Sequence, residues 1–171
     1  MEFSIIRCLD LQEYHKIGGV FMIYTALMYK ISDNGDIRSI NFINFDVVNL
    51  SDLRIQLQSK LNSKNIDYAF MNLNKKEYQI WYDLDSTKKE GWGRRVSRPI
   101  YDKDNDVVDL IAGDLYVFRI RRNEFGNIAI NDITSKSEAF TLIENIEKEA
   151  CIAMDSLTGL IKYKGRSESI I

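Results

Sequence analysis

VFMIYTALMYKI (residues 20–31) and IRSINFINFDVV (residues 37–48), joined by Ser32-Asp33-Asn34-Gly35-Asp36, decide the fold class. Both runs are aromatic and β-branched, shapes that suit a pleated surface. The Asn-Gly between them tolerates the positive backbone angles of tight turns, so the segment from Gly18 to Val48 reads as a β-hairpin. The first strand is apolar on both faces, which predicts a central position covered twice. In the second, Ile40 and Phe42 oppose Ile43, Phe45 and Val47, which predicts a bulge or bend near Phe42 that spares Asn41 from burial.

Downstream, Asn49 or Ser51 caps a helix whose Leu50, Leu53, Leu57 and Leu61 recur at helical spacing. A second hairpin joins IDYAFMNL to YQIWYDL through Asn74-Lys75-Lys76. It sets Tyr78, Ile80 and Tyr82 against Glu77, Gln79, Trp81 and Asp83, with one face solvated or in contact with a partner. From Asp85 to Asp106 the pattern dissolves into charges, two glycines and the single proline. This reads as a long loop, shortened at most by an edge strand near Val96 to Tyr101, and loops of such length are usually functional. A third hairpin pairs DLYVFRIRR with NIAINDI. Ser135-Lys136-Ser137-Glu138 is a capping box, in which hydroxyl and carboxylate satisfy each other's backbone donors. Behind it Ala139, Ile143, Ile146, Ala150, Ala153 and Leu157 form an apolar stripe, and the helix should stop before Gly159. After it, LIKYKGRSESII allows a last strand and a frayed end.

The reading is therefore an α+β fold: a mainly antiparallel sheet of six to seven strands built from three hairpins, with two amphipathic helices against it. A chain of 171 residues, 45% hydrophobic and 28% charged, matches one ordinary globular domain, residues 1–171 with the loop at about 85–106. The net charge of −2 provides no global field for nucleic acid or membrane. Cys8 and Cys151 are far apart and read as two buried thiols in a reducing, cytoplasmic setting. The first residues carry acids within a short apolar run, unlike a signal peptide, and the run from Val20 to Tyr29 is about half the ~20 residues of a spanning helix.

Candidate chemistry is sparse. His15 is the only histidine, which excludes multi-histidine metal centres. Asp102, Asp104 and Asp106 open like a calcium loop, but Val107 stands where the glycine is needed and Gly113 where the bidentate glutamate belongs. Asp67 and Glu77 have the spacing of carboxylates that hold Mg²⁺ in restriction-type nucleases, with Gln79 in place of the usual lysine. No phosphate-cradling glycine loop or nucleophile elbow occurs: Gly18-Gly19 precedes a strand, and Gly91-Trp92-Gly93 lacks a following lysine.

What remains is Arg94, Arg95 and Arg98 in the loop, near Trp92 and Tyr101, together with Arg119, Arg121 and Arg122 on the third hairpin. Arginine forks bind phosphates, and Trp, Tyr and Arg supply most hot-spot energy at protein interfaces. The neighbouring acids Asp83, Asp85 and Glu90 oppose a phosphate backbone and favour a protein partner. Trp92, Arg94, Arg95, Arg98, Tyr101, Arg119 and Arg121 are thus the expected contact residues. The expected function is a small protein-binding module, such as a stoichiometric inhibitor or immunity-type protein, without cofactor or metal. A nucleic-acid binder and a metal-dependent nuclease are the alternatives, and a homodimer through a hairpin edge is compatible with all three.

Overall fold

The computed structural model describes residues 22–164, with side chains described to residue 159. His15, Cys8, Gly18-Gly19 and the tail beyond residue 164 lie outside the described residues. The elements run β1 (Met22–Ile31), β2 (Arg38–Val47), α1 (Leu50–Lys60), β3 (Ile66–Leu73), β4 (Lys76–Asp83), β5 (Val96–Tyr101), β6 (Val107–Ala112), β7 (Leu115–Arg122), β8 (Ile128–Asn131) and α2 (Lys136–Lys164), with 3₁₀ turns at Ser86–Lys88 and Trp92–Arg95. The fold is α+β. Six strands form one antiparallel sheet in the order β2-β1-β7-β4-β3, with β8 also on β7, while β5 and β6 form a separate two-stranded ribbon.

Each face of the sheet has its own core. Leu27, Tyr29, Ile31, Tyr78, Ile80, Leu115 and Val117 pack beneath Leu142 and Ile146 of α2, joined by Ile111 of the ribbon. On the opposite face Ala26, Phe45, Val47, Tyr116 and Phe118 meet Leu53 and Leu57 of α1. β7 and β4 are buried along most of their length because they lie inside the sheet and are covered on both sides. A third cluster, Val96, Leu110, Ala153 and Leu157, holds the ribbon to α2.

Several expectations need correction. The segment expected as a long loop, Asp85 to Asp106, is largely ordered: it holds two 3₁₀ turns and β5, which coincides with the edge strand expected near Val96 to Tyr101 and pairs with β6 just beyond the segment. β1 and β2 pair without a register shift from Met22↔Val47 to Ile31↔Arg38, so there is no bulge at Phe42. Simple alternation sends Ile40 and Ile43 to different faces, and Asn41 is exposed because β2 is an edge. The helices are less cleanly two-sided than their spacing suggests: Leu50 and Ile55 of α1 are over 60% exposed, at 61% and 63%, and Phe140 of α2 is also exposed. α2 continues through Gly159 to Lys164. The face of β4 expected to be solvated is covered from Gln79 onward: the indole N–H of Trp81 donates to Gln79 Oε1 at 2.9 Å, and both residues are buried. Cys151 is a free thiol on the exposed side of α2, not a buried one.

The described residues contain no helix long and apolar enough to cross a membrane.

Candidate functional site

The seven residues expected to form one contact surface are distributed over several places. Arg95 turns inward: its Nε donates to Ser32 O at 3.2 Å and a terminal nitrogen donates to Ile31 O at 3.0 Å, with Asp114 3.5 Å away. It ties the first hairpin turn to the second 3₁₀ turn. Arg119 points at the Glu138 carboxylate, 3.6 Å away on a face covered by α2. Arg98 of β5 is buried, lining a cavity with Ala69 and Tyr82, and the Tyr101 hydroxyl donates to Glu149 Oε2 of α2 at 2.7 Å. Trp92 is half-buried against the ribbon cluster. Only Arg94 and Arg121 are exposed. The structure brings together Arg98 with Tyr101, and Trp92 with Arg95, and it separates both pairs from the β7 arginines.

Trp92 and Arg95 line a cleft of about 390 Å³ with Lys60, Asp83, Lys89 and Asp114. Two of its three cations face carboxylates of the same cleft. Lys89 Nζ lies 2.8 Å from Asp83 Oδ2, a contact of charge without hydrogen-bond geometry, and Arg95 faces Asp114. With Asp33 and Glu90 also in the lining, carboxylates outnumber cations, and such a groove has little field for a phosphate backbone.

The carboxylates proposed for metal do not converge. Asp67 pairs with Tyr82 and Glu77 with Asn72, five rungs apart on the β3–β4 ladder, and strand alternation puts them on opposite faces of the sheet. Glu77 is moreover taken by Arg122, which donates to it from Nε and a terminal nitrogen at 2.8–3.0 Å. These bonds hold the Glu77 carboxyl below the usual carboxylate range. No metal-binding cluster of His, Cys, Asp and Glu exists among the described residues. The Asp102–Asp106 segment is a self-capped turn: Asp102 Oδ1 accepts from the backbone N–H groups of Asp104 and Asp106, at 2.8 and 3.0 Å.

A different group of residues offers an organised surface. Tyr68 and Phe70 stand side by side on β3, on the α1 side of the sheet but beyond that helix, with 38% and 42% of their area exposed. Their ring centroids are 5.3 Å apart, and Tyr68 lies 4.8 Å from Trp81 on β4. Arg122, clamped by Glu77, lies 4.6 Å from the Phe70 ring centre, and Arg54 of α1 reaches within 5.8 Å of that of Trp81. Rings in edge and tilted contact at these separations, with guanidinium groups over Phe70 and Trp81, are held in place without being hidden. The signal for it in the sequence was the i, i+2 spacing of Tyr68 and Phe70 in IDYAFMNL, two large aromatics on one side of a strand.

No protein-family model matches this chain, and no curated protein or solved structure shows significant similarity to it.

Proposed function

We propose that the chain is a small protein-binding module, of the stoichiometric inhibitor or immunity type, and that Tyr68 and Phe70 are the centre of its contact surface. The observation that carries this reading is the exposure of two aromatics in edge-to-face contact on β3, bordered by Arg54 and Arg122. Aromatic and arginine side chains already held against one another lose little further conformational freedom, so a partner gains their exposed area at low entropic cost. The partner chemistry that fits is a protein surface presenting an apolar side chain framed by carboxylates. The alternatives have less support. Arg95, Arg119 and Arg122 are engaged by carboxylates of the chain itself, which weakens a nucleic-acid reading, and the nuclease reading lacks a shared metal position.

Affinity capture from native cells with the tagged full chain tests the proposal, alongside Tyr68→Ala/Phe70→Ala and Arg94→Ala/Arg121→Ala variants. The expected result is one protein recovered at 1:1 by the parent and the arginine variant, and lost from the aromatic variant. Recovery of chaperones alone, or equal recovery by all three proteins, overturns it. A concentration-dependent dimer of the parent that the aromatic variant abolishes would replace the partner by a second copy of the chain.

A further inference from the structure

We propose that the cavity between the β3–β4 edge of the sheet and β5 is a binding site for a small organic monocarboxylate, with Arg98 as its anion receptor. Arg98 is only 9% exposed. Among the described residues its guanidinium makes no hydrogen bond and no ion pair. Glu149 is the main source of negative field at Arg98, but its Oε2 accepts the Tyr101 hydroxyl and lies beyond ion-pair reach of the guanidinium. Burial therefore works against the charge of Arg98, opposed only at a distance by Glu149, Tyr101 and Tyr82. An arginine does not escape this cost by losing its proton, and buried charges are normally paired. A guanidinium with free donors at a cavity wall is the arrangement expected where the counter-ion arrives with a ligand.

The cavity supplies the rest of the receptor. It encloses about 200 Å³, and Arg98 lines it with Ala69, Tyr82, Pro99, Tyr101 and Ile111. That is the share of liquid volume of roughly seven waters, enough for a compact ring or short chain. The walls are aromatic and aliphatic around a single cation, so the ligand is one anionic group on an apolar body. A dianion is disfavoured, because Asp67 and Asp109 extend their negative field to Tyr82 and Glu149 extends its own to Arg98. The β5–β6 register shifts between Val96 and Arg98, and such bulges commonly re-aim a side chain beside a site. Phe70 also borders this cavity, so the site adjoins the Tyr68–Phe70 surface; Arg98→Met and Ala69→Leu leave both of those rings in place, so either proposal can fail without the other.

Calorimetric titration of the full chain with benzoate, benzamide and inorganic phosphate tests the assignment. Benzoate should bind saturably at one site, more tightly than its neutral isostere benzamide, and equimolar phosphate should not displace it. Arg98→Met should weaken benzoate binding about thirtyfold, the loss expected when a charged hydrogen-bond donor is removed. The same variant without ligand should melt no lower than the parent, because replacing an unpaired buried charge by an apolar side chain of similar length is neutral or stabilising. Ala69→Leu, which keeps the charge and fills the cavity, should also abolish binding. Equal affinity for benzamide, displacement by phosphate, retention of benzoate in either variant, or a lowered Tm of ligand-free Arg98→Met would each overturn the proposal.

Discussion

The Glu138 carboxylate accepts a 2.7 Å hydrogen bond from the Tyr78 hydroxyl, joining the first turn of α2 to the middle of the sheet. Lys76 and Arg119 add ion pairs at 3.2 and 3.6 Å, and the Glu138 side chain is 4% exposed. Removing the shared acceptor strands a buried hydroxyl and two cations at once, whereas removing the hydroxyl leaves the carboxylate with both cations. Glu138→Ala should therefore cost about 2–3 kcal/mol and Tyr78→Phe about 1–1.5 kcal/mol. Urea denaturation of the two variants checks the order; a larger loss in Tyr78→Phe would show that the cations contribute nothing.

Alkaline pH should unfold the protein through its buried phenols. Burial pushes the Tyr101 and Tyr116 hydroxyls up to about 12, helped by the Glu149 hydrogen bond in the first and the Asp114 charge in the second. Tyr78 rises further and Tyr82 rises too, each first through burial, with Glu138 adding to the former and Asp67 to the latter. These groups hold their protons in the folded state after the unfolded chain has released them. Their stabilising contribution is therefore complete below the ordinary phenol value near 10 and is lost as pH rises from there through about 12. Phenolate absorbance and circular dichroism followed together from pH 9 upward should show late ionisation coinciding with loss of structure; early ionisation of every tyrosine with structure intact would contradict this.

The sequence made the strand pairs legible because turn residues and period-two alternation are local signals. The Asn34-Gly35 dipeptide, the Asn74-Lys75 turn and the IDYAFMNL alternation all announce their conformation within a few positions. What it hid was long-range. The alternation that marks Asp67 and Glu77 as strand residues also places them on opposite faces, but the register needed to see this depends on the turn between them. Arg95 reads as a surface charge in a polar loop, yet Ile31 and Ser32, more than sixty positions earlier, take its hydrogen bonds. Glu138 reads as the second half of a capping box. The Ser135 hydroxyl does accept from the Glu138 backbone N–H at 3.0 Å, but the carboxylate is drawn to Tyr78, a partner that local spacing cannot reveal.

Gly35 and Gly126 separate backbone strain from close packing. Both have left-handed backbones, with φ of 79° and 80°. A Cβ on Gly35 would overlap the carbonyl oxygen of Arg94, where the hairpin turn meets the second 3₁₀ turn, whereas Gly126 has nothing within 4 Å. Gly126→Ala should cost only the left-handed strain, about 1 kcal/mol. Gly35→Ala adds a backbone clash and should cost at least about 2 kcal/mol. Equal denaturation midpoints for the two variants would mean that the Arg94 segment yields freely.

Lys75 offers a stabilising substitution by the same reasoning. It closes the two-residue β3–β4 turn next to Asn74, and both residues have positive φ, 65° and 51°. Two successive left-handed residues define the turn whose twist matches antiparallel strands, and its preferred second residue is glycine because a Cβ crowds the backbone there. Lys75 forms no ion pair among the described residues, so its replacement removes no salt bridge. Relief of the strain, less the extra entropy glycine brings to the unfolded chain, leaves a gain of about 0.5 kcal/mol for Lys75→Gly. The rise should appear in the urea midpoint with an unchanged slope, because the folded surface is unaltered. A fall in the midpoint would show that the Lys75 side chain supports the turn through its stem, and that strain at this position is outweighed.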